Sequence, residues 1–236
     1  MFGSVGLAVL VGVILTAAVV VPVAIYEHRA QMKREALGQS WAAARGCNFS
    51  PTNPLLLQCL RGDTFPGGFN ARVHEYIEGK TPDGRTFCSF MYVYEESSVS
   101  ESGSSTVDRA IVMVRLPTAL PSLSVTLEGI DDKVQKILGG QDIELESEEF
   151  NRLFRIESPV EGFAYGVLHP RMMEWLMRRR RSMVPFVIEG QDVICFRFGK
   201  PDYAALDGRL ADMCDFIDQI PQGVFEKYAA PSAIGW

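Results

Sequence analysis

A long run of uncharged, mostly apolar residues near the start of the chain limits the folds open to it more than any other feature. Val5 to Tyr26 covers 22 residues and contains no Asp, Glu, Lys or Arg. As an α-helix it would extend about 33 Å, enough to cross a hydrocarbon core of about 30 Å. Backbone groups in lipid must be satisfied within the segment, so a helix is the form we expect. The sequence therefore predicts a transmembrane anchor over residues 1–26.

A cleaved signal peptide is the alternative reading of this segment. It is disfavoured because no basic residue precedes the apolar stretch, the stretch exceeds the usual length of about 7–15 residues, and no small-x-small cleavage site precedes Glu27. Arg29, Lys33, Arg34 and Arg45 follow the span, and the positive-inside rule assigns such residues to the cytoplasm. We therefore predict a single-pass protein of the bacterial inner (plasma) membrane with a cytoplasmic soluble domain.

Small residues recur along one side of the predicted span. Ser4, Ala8, Gly12 and Thr16 are spaced four apart, and small side chains on one ridge let two helices approach closely. The ridge favours packing against a membrane protein or a second copy of this chain, in addition to contact with the lipid bilayer. The alternative is that small residues are merely common in membrane spans.

The chain as a whole has the composition of a globular protein rather than of a disordered one. Hydrophobic residues make up 47% of the 236 residues, and charged residues make up 22%. The formal net charge of −6 repels phosphates, so we expect no nucleic acid partner. The five cysteines contain no CxxC pair, which is typical of free thiols in a reducing compartment, with a Cys47–Cys59 disulfide as the alternative.

Hydrophobic periodicity and turn residues predict an α+β domain, in which a mainly antiparallel sheet is packed against two or three helices. The expected units are the anchor, a juxtamembrane helix and linker over 27–54, the domain over 55–223 and a C-terminal tail over 224–236. Strands are predicted at 72–79, 85–95, 109–117, 122–129, 154–157 and 163–168, and over 185–199 as a hairpin turning at 189–192. Helices are predicted at 27–46, 132–138, 147–150, from Pro170 and over 202–220.

The sequence contains no motif that indicates catalysis, a cofactor, a metal or a small-molecule substrate. His28, His74 and His169 lie in no HExxH or CxxC frame, and no GxSxG, GxxxxGK[ST] or GxGxxG motif occurs. Acidic residues cluster at Asp131–Asp132 and at Glu144–Glu149, and paired carboxylates can hold a cation or move protons. An enzyme with an acidic, cation-assisted site is therefore one alternative, although the spacing of the glutamates is more typical of the solvent face of a strand.

Four consecutive arginines follow an amphipathic helix that Pro170 is predicted to open. Cations in the last turn interact favourably with the carbonyl end of a helix, so this arrangement requires no ligand. The functional interpretation is a membrane or partner contact, because basic residues bind both anionic lipid and acidic protein surfaces. The residues predicted for that contact are Trp175, Arg178, Arg179, Arg180 and Arg181.

Three segments, VMVRLPTALPSLSV, DIELESEEFNRLFRI and VLHPRMMEWL, resemble an uncharacterised, chiefly actinobacterial group of single-span membrane-anchored proteins with a domain of unknown function. The resemblance spans Arg109 to Phe198, the N-terminal span and a tryptophan behind it, Trp41. It implies a bacterial membrane-anchored protein and assigns no catalytic residue. The sequence thus predicts a non-enzymatic binding or scaffold protein, with an enzyme or a structural subunit of a membrane complex as the alternatives.

Overall fold

The computed structural model describes residues 2–60, 64–65, 69–97, 104–127, 143–180 and 185–230, and of residues 2–19, 69 and 97 it describes the backbone alone. Its helices are α1 (Phe2–Ala43), α2 (Leu56–Cys59), α3 (Glu148–Asn151), α4 (Glu161–Val167), α5 (Pro170–Arg179), α6 (Leu206–Asp218) and α7 (Gln222–Tyr228). Its strands are β1 (Asn48–Thr52), β2 (Phe69–Lys80), β3 (Thr86–Ser97), β4 (Ser104–Leu127), β5 (Phe154–Glu157) and β6 (Phe186–Phe198).

The first helix is a single element that contains the apolar segment and the predicted juxtamembrane helix. It runs from Phe2 to Ala43, and Gly46 follows it with a φ of 66°, a conformation that glycine adopts readily at helix ends. In the part of the chain with described side chains, no helix is both long and apolar enough to cross a membrane. The side chains of the small-residue ridge lie outside that part: Ser4, Ala8, Gly12 and Thr16.

The strands form one antiparallel sheet, which confirms the predicted α+β architecture. Strands β1 to β5 are hydrogen-bonded in sequence order, and β6 pairs with β4. Strand β4 organises the sheet, because its first half pairs with β3 and β6 while its last residues pair with β6 and β5. The predicted hairpin is β2–β3, and Ser147 caps α3 by accepting a hydrogen bond from the backbone N–H of Phe150 at 3.2 Å.

The prediction of separate strands at 109–117 and 122–129 is wrong, because residues 109–117 and 122–127 belong to the single strand β4, and residues 128–129 lie outside the described residues. Pro117 and Pro121 cannot donate to a ladder, and they fall in the two places where the β4–β6 register shifts, between Arg115 and Leu120 and between Leu120 and Leu123. The chain thus accommodates its prolines by interrupting the ladder locally. Ala230 N–H donates to the carbonyl of Ala119 in the first of these gaps, at 3.0 Å.

The hairpin predicted to turn at 189–192 is also wrong, because β6 continues through it. Gly190 has a φ of 60° and pairs with Leu120, so the glycine marks an irregularity within a strand rather than a reversal. The strand predicted at 163–168 is helix α4, in which Phe163, Ala164 and Val167 are buried on one face. A short apolar run fits both periods, so the sequence did not distinguish them.

Two further elements lie within the predicted C-terminal tail and the predicted linker. Part of the predicted C-terminal tail forms α7, which packs on α4 through a contact between the rings of Tyr228 and Phe163. Strand β1 lies in the predicted linker. The helix predicted at 132–138 lies outside the described residues.

The sheet has an apolar core on each face, because successive side chains of a strand point to opposite sides. In β3, Phe87 belongs to the core that helices α1 and α4 to α7 cover, while Cys88, Phe90 and Tyr92 belong to the core on the other face. The second core is rich in aromatic rings and is covered in part by α2. The first core is therefore the one that joins α1 to the domain.

The end of α1 is built into the domain by close packing. Gly38 lies against Tyr203 and Phe49, and a Cβ atom at Gly38 would stand 2.8 Å from the Tyr203 ring. One turn later the Trp41 ring is buried and meets Phe87 edge to face at 6.2 Å. This packing requires glycine at position 38, where a Cβ atom would be too close to Tyr203, and a large ring at position 41 to meet Phe87.

A buried carboxylate adds a polar connection at the same place. The side chain of Glu75 has 0% of its surface exposed, and it accepts hydrogen bonds from Arg34 Nε at 3.1 Å and from Tyr203 Oη at 2.8 Å. Glu75 has a φ of 52°, in the left-handed region, between two register positions of β2 where the pairing is irregular. The irregularity turns the carboxylate towards α1.

Replacing Gly38 by alanine should lower the free energy of unfolding by about 1–2 kcal/mol, because the overpacking against Tyr203 exceeds the gain in helix propensity. Gly208→Ala is the matched control, since Gly208 is also helical and a Cβ there meets nothing within 4 Å. It should raise the stability by about 0.5–1 kcal/mol. Chemical denaturation of both variants measures the difference, and equal effects would contradict this account of α1 packing.

Candidate docking groove

Helix α6 carries a set of aspartates that pair with arginines from three surrounding elements. Arg45, just after α1, pairs with Asp207 at 2.5 Å. Arg179, at the end of α5, pairs with Asp212 at 3.0 Å and with Asp215 at 3.1 Å. The acidic helix is thereby joined to α1 and to α5.

The third arginine comes from the turn between β2 and β3. Arg85 pairs with Asp218 at the end of α6 and with Asp83 in its own turn. The turn is closed by a backbone hydrogen bond from Thr81 N–H to the carbonyl of Arg85 at 2.9 Å. These pairs bring the end of α1, the β2–β3 turn and α6 around one concave surface.

That surface is a groove of about 570 Å³, which we call the α6 groove. Its apolar lining consists of Trp41, Pro82, Phe87, Leu210 and Ala211. Its charged lining consists of Arg45, Lys80, Asp83, Asp207, Asp215 and Asp218. Its volume lies within the range of about 300–1,000 Å³ that is common for ligand sites.

Exposed carboxylates and exposed cations both line the α6 groove. The side chains of Asp207, Asp215 and Asp218 are 54%, 53% and 61% exposed, that of Arg45 is 38% exposed, and Lys80 is exposed as well. Trp41, Phe87 and Leu210 are buried beneath them. Counting the paired residues around it, the groove has five carboxylates (Asp83, Asp207, Asp212, Asp215 and Asp218) against four cations (Arg45, Lys80, Arg85 and Arg179), so its net charge is only slightly negative, and its floor is apolar.

Two cysteines also line the α6 groove, and neither is activated. Burial raises the pKa of the Cys47 thiol, although Arg45 partly opposes the shift, and burial likewise raises the pKa of Cys214, opposed by Arg85. Both thiols are therefore protonated near neutral pH and are weak nucleophiles. All five cysteines of the chain are free, so Cys47 and Cys59 form no disulfide in this structure. The groove is better suited to binding than to covalent chemistry.

The predicted arginine contact surface is only partly available. Trp175 is 6% exposed and lies 6.3 Å from the rings of Phe186 and of Phe216, so it is a core residue and not a membrane or partner contact. The Arg179 guanidinium stacks over the Trp175 ring at 4.5 Å and is paired with α6. Trp175 and Arg179 thus stabilise the domain.

The other arginines of the tract have fewer constraints. Arg178 is 68% exposed and lies 3.9 Å from Glu174, and Arg180 is exposed at the end of α5. Arg181 lies outside the described residues. A membrane or partner contact at this helix end stays a prediction for Arg178 and Arg180.

The other sequence candidates do not converge on the α6 groove. Glu144, Glu146, Glu148 and Glu149 are exposed, and Asp131 and Asp132 lie outside the described residues. Within the described ranges, no three His, Cys, Asp or Glu side chains are placed to hold a metal ion. His169 Nε2 is 3.0 Å from the carbonyl oxygen of Gln219, a contact that joins α5 to the end of α6.

Comparison with known proteins gives a likeness of fold. The crystal structure of the mycobacterial trehalose monomycolate transport factor A, TtfA, matches 85% of this chain and 98% of its own, with a TM-score of 0.57 and 13% sequence identity. No protein-family model matches the chain, and a search of curated proteins finds no match. At this identity the likeness shows a shared fold, and the predicted family resemblance stays a prediction.

Within the arginine tract, Arg179→Gln should lower the free energy of unfolding by about 1–2 kcal/mol, because it removes two partly exposed ion pairs and the stacking on Trp175. Arg180→Gln should change stability by less than about 0.5 kcal/mol, since Arg180 is exposed. Thermal and urea unfolding of the two single variants measure the contrast. Equal destabilisation by both would show that Arg179 has no special structural role.

Thiol reactivity should follow burial. Cys59 is exposed and should react first with a maleimide, whereas Cys88 and Cys195 are buried and should react only after unfolding. Burial raises the pKa of Cys195 to about 12, which lowers its reactivity further. Timed labelling with peptide mass spectrometry gives the order, and labelling of Cys88 as fast as Cys59 in the folded protein would contradict the fold.

Proposed function

We propose that this chain is a non-enzymatic binding factor anchored in the bacterial inner membrane, where it serves as an accessory component of envelope-lipid transport. The observation that carries the proposal is the continuity of α1, which runs from the apolar segment Val5–Tyr26 into the core of the domain without a break. A continuous helix of this kind can anchor the chain in the membrane and also hold the domain rigidly relative to the apolar segment. Its charge pattern, with Arg29 and Lys33 behind the span, supports a cytoplasmic domain.

Unlike a flexible tether, a rigid α1 would hold the domain at a fixed distance from the bilayer. Residues 27–33 of α1 are mostly exposed, and among the described side chains of α1 the first to bond the domain is Arg34. Taking Tyr26 as the end of the span, Arg34 lies about 12 Å and the last helical residue, Ala43, about 26 Å further along the helix. The α6 groove is then held at a defined distance from the bilayer, where a partner in the same membrane can reach it.

Transport is suggested by the protein whose structure this chain resembles. TtfA is a trehalose monomycolate transport factor, and it shares this fold over nearly its whole length. We extend the general role, an accessory factor in moving an envelope lipid, to this chain. The α6 groove, with an apolar floor and thiols held in the protonated form, supports binding rather than catalysis.

Two alternatives have weaker support. An acidic, cation-assisted enzyme site gains none from Glu144 to Glu149, where the four glutamates are exposed to solvent. A purely structural subunit held by the ridge of Ser4, Ala8, Gly12 and Thr16 would need a partner helix in the membrane. It would leave the α6 groove without a role.

Membrane anchoring predicts that the full chain sediments with inner membranes and resists alkaline carbonate extraction. Deleting residues 5–26 should release it into the soluble fraction, because the apolar segment is what lipid retains. Replacing those residues with an unrelated apolar span of equal length is the matched control and should restore sedimentation. A full chain found in the soluble fraction would refute the proposal.

The cytoplasmic orientation has its own test at Cys59, which is exposed in the domain. A membrane-impermeant maleimide should label Cys59 only after the inner membrane is permeabilised, with Cys59→Ser as the control for labelling elsewhere. Labelling of Cys59 in spheroplasts with intact membranes would place the domain outside the cytoplasm and contradict this part of the proposal.

A further inference from the structure

We infer that the α6 groove docks a basic peptide segment with an apolar anchor residue, presented by the cytoplasmic face of another membrane protein. This inference rests on the proposed function, because it takes the domain to be held at the inner membrane. It names the class of partner that the groove recognises. Three features of the groove support it: its shape, its charge and its height above the span.

The floor supplies the site for an apolar anchor. Trp41, Phe87 and Leu210 are buried members of the same core, yet they also line the groove. Ala211 continues this lining on the exposed side of α6, where its small side chain leaves room above the floor. A large apolar side chain from a partner would fill the space above these buried residues and cover the exposed surface of Ala211, which is favourable in proportion to the area buried.

The mouth offers exposed carboxylate oxygens to a cationic segment. Asp215 accepts from Arg179 through Oδ2, and Asp218 accepts from Arg85 through Oδ1. A carboxylate has about four acceptor positions on two oxygens, so one such bond does not saturate it. Asp215 and Asp218 are three residues apart and therefore lie on one face of α6 beside the apolar floor. Lysine or arginine side chains that flank an apolar residue complement this arrangement.

The position of the groove favours a partner in the same membrane. Cytoplasmic loops and tails of membrane proteins are enriched in lysine and arginine close to their spans. Trp41 and the helix end at Ala43 follow Tyr26 by about 23 and 26 Å of helix, a height that about eight extended residues of a partner can reach. Because Gly38 and Glu75 lock α1 to the domain, the groove keeps that height.

The test uses the full chain in neutral detergent and three fluorescent synthetic peptides of equal length. The first peptide alternates lysine with leucine around one tryptophan, the second has every lysine replaced by glutamate, and the third has every apolar residue replaced by serine. Fluorescence anisotropy should show binding of the first peptide at least tenfold tighter than of the other two, and this binding should weaken as salt is raised. Equal binding of the acidic peptide would overturn the inference.

Two variants locate the binding. Asp215→Asn with Asp218→Asn should weaken binding of the basic peptide roughly tenfold, because two ion pairs are lost. Ala211→Phe should weaken it to a similar extent by filling the floor while leaving every charge in place. The matched control is Glu144→Gln with Glu146→Gln, which removes two exposed carboxylates elsewhere and should leave affinity unchanged.

The outcomes separate this inference from the proposed function. Retained affinity in both groove variants, with melting temperatures near that of the parent chain, would overturn the groove as the docking site. The membrane anchoring would then be unaffected, because it is measured by fractionation. Loss of affinity in the Glu144 and Glu146 control to the same degree would show unspecific charge attraction and would also overturn it.

Discussion

Glu75 places a carboxylate in the protein interior with none of its side chain exposed to solvent, and the attachment of α1 depends on how that charge is satisfied. A buried charge that loses its partner destabilises a protein by several kcal/mol. Arg34 supplies one donor from α1, and Tyr203 supplies the other from the segment before α6. Burial raises the pKa of Tyr203, which keeps its hydroxyl protonated and able to donate. Helix α1, the sheet and the segment before α6 therefore separate only at the cost of an unpaired charge.

Local signals in the sequence predicted local structure well. Pro170 opens α5, Ser147 caps α3, and the β2–β3 turn lies where Pro82 and Gly84 were found. Each of these signals acts within a few residues of where it stands. The errors in β4 and β6 arose where neighbouring strands decide the outcome. Prolines in β4 and a glycine in β6 are typical of chain reversals, yet the two strands continue because each pairs with the other beyond the interruption.

The candidate site was much less predictable than the fold. The α6 groove depends on Arg45–Asp207 and Arg85–Asp218, pairs that join residues 162 and 133 positions apart, and no spacing in the sequence shows such contacts. The arginine tract was conspicuous in the sequence, but its arginines have different surroundings in the folded domain. Arg179 is held by Asp212 and Asp215, while Arg180 stays exposed. The aspartates along α6 were not singled out in the sequence, yet Asp207, Asp215 and Asp218 line the groove.

The separation in sequence between α1 and its binding residues sets an order for biosynthesis. Trp41 bonds Asp207 across 166 residues, and Glu75 bonds Tyr203 across 128. At a synthesis rate of about 5–20 residues per second, on the order of ten to thirty seconds pass between the emergence of the helix and that of its partners. Throughout that interval Trp41 lacks Asp207 and Glu75 lacks Tyr203, although Phe49 and Phe87 have already been synthesised. The polar contacts that fix α1 to the domain are therefore among the last to form as the chain is completed.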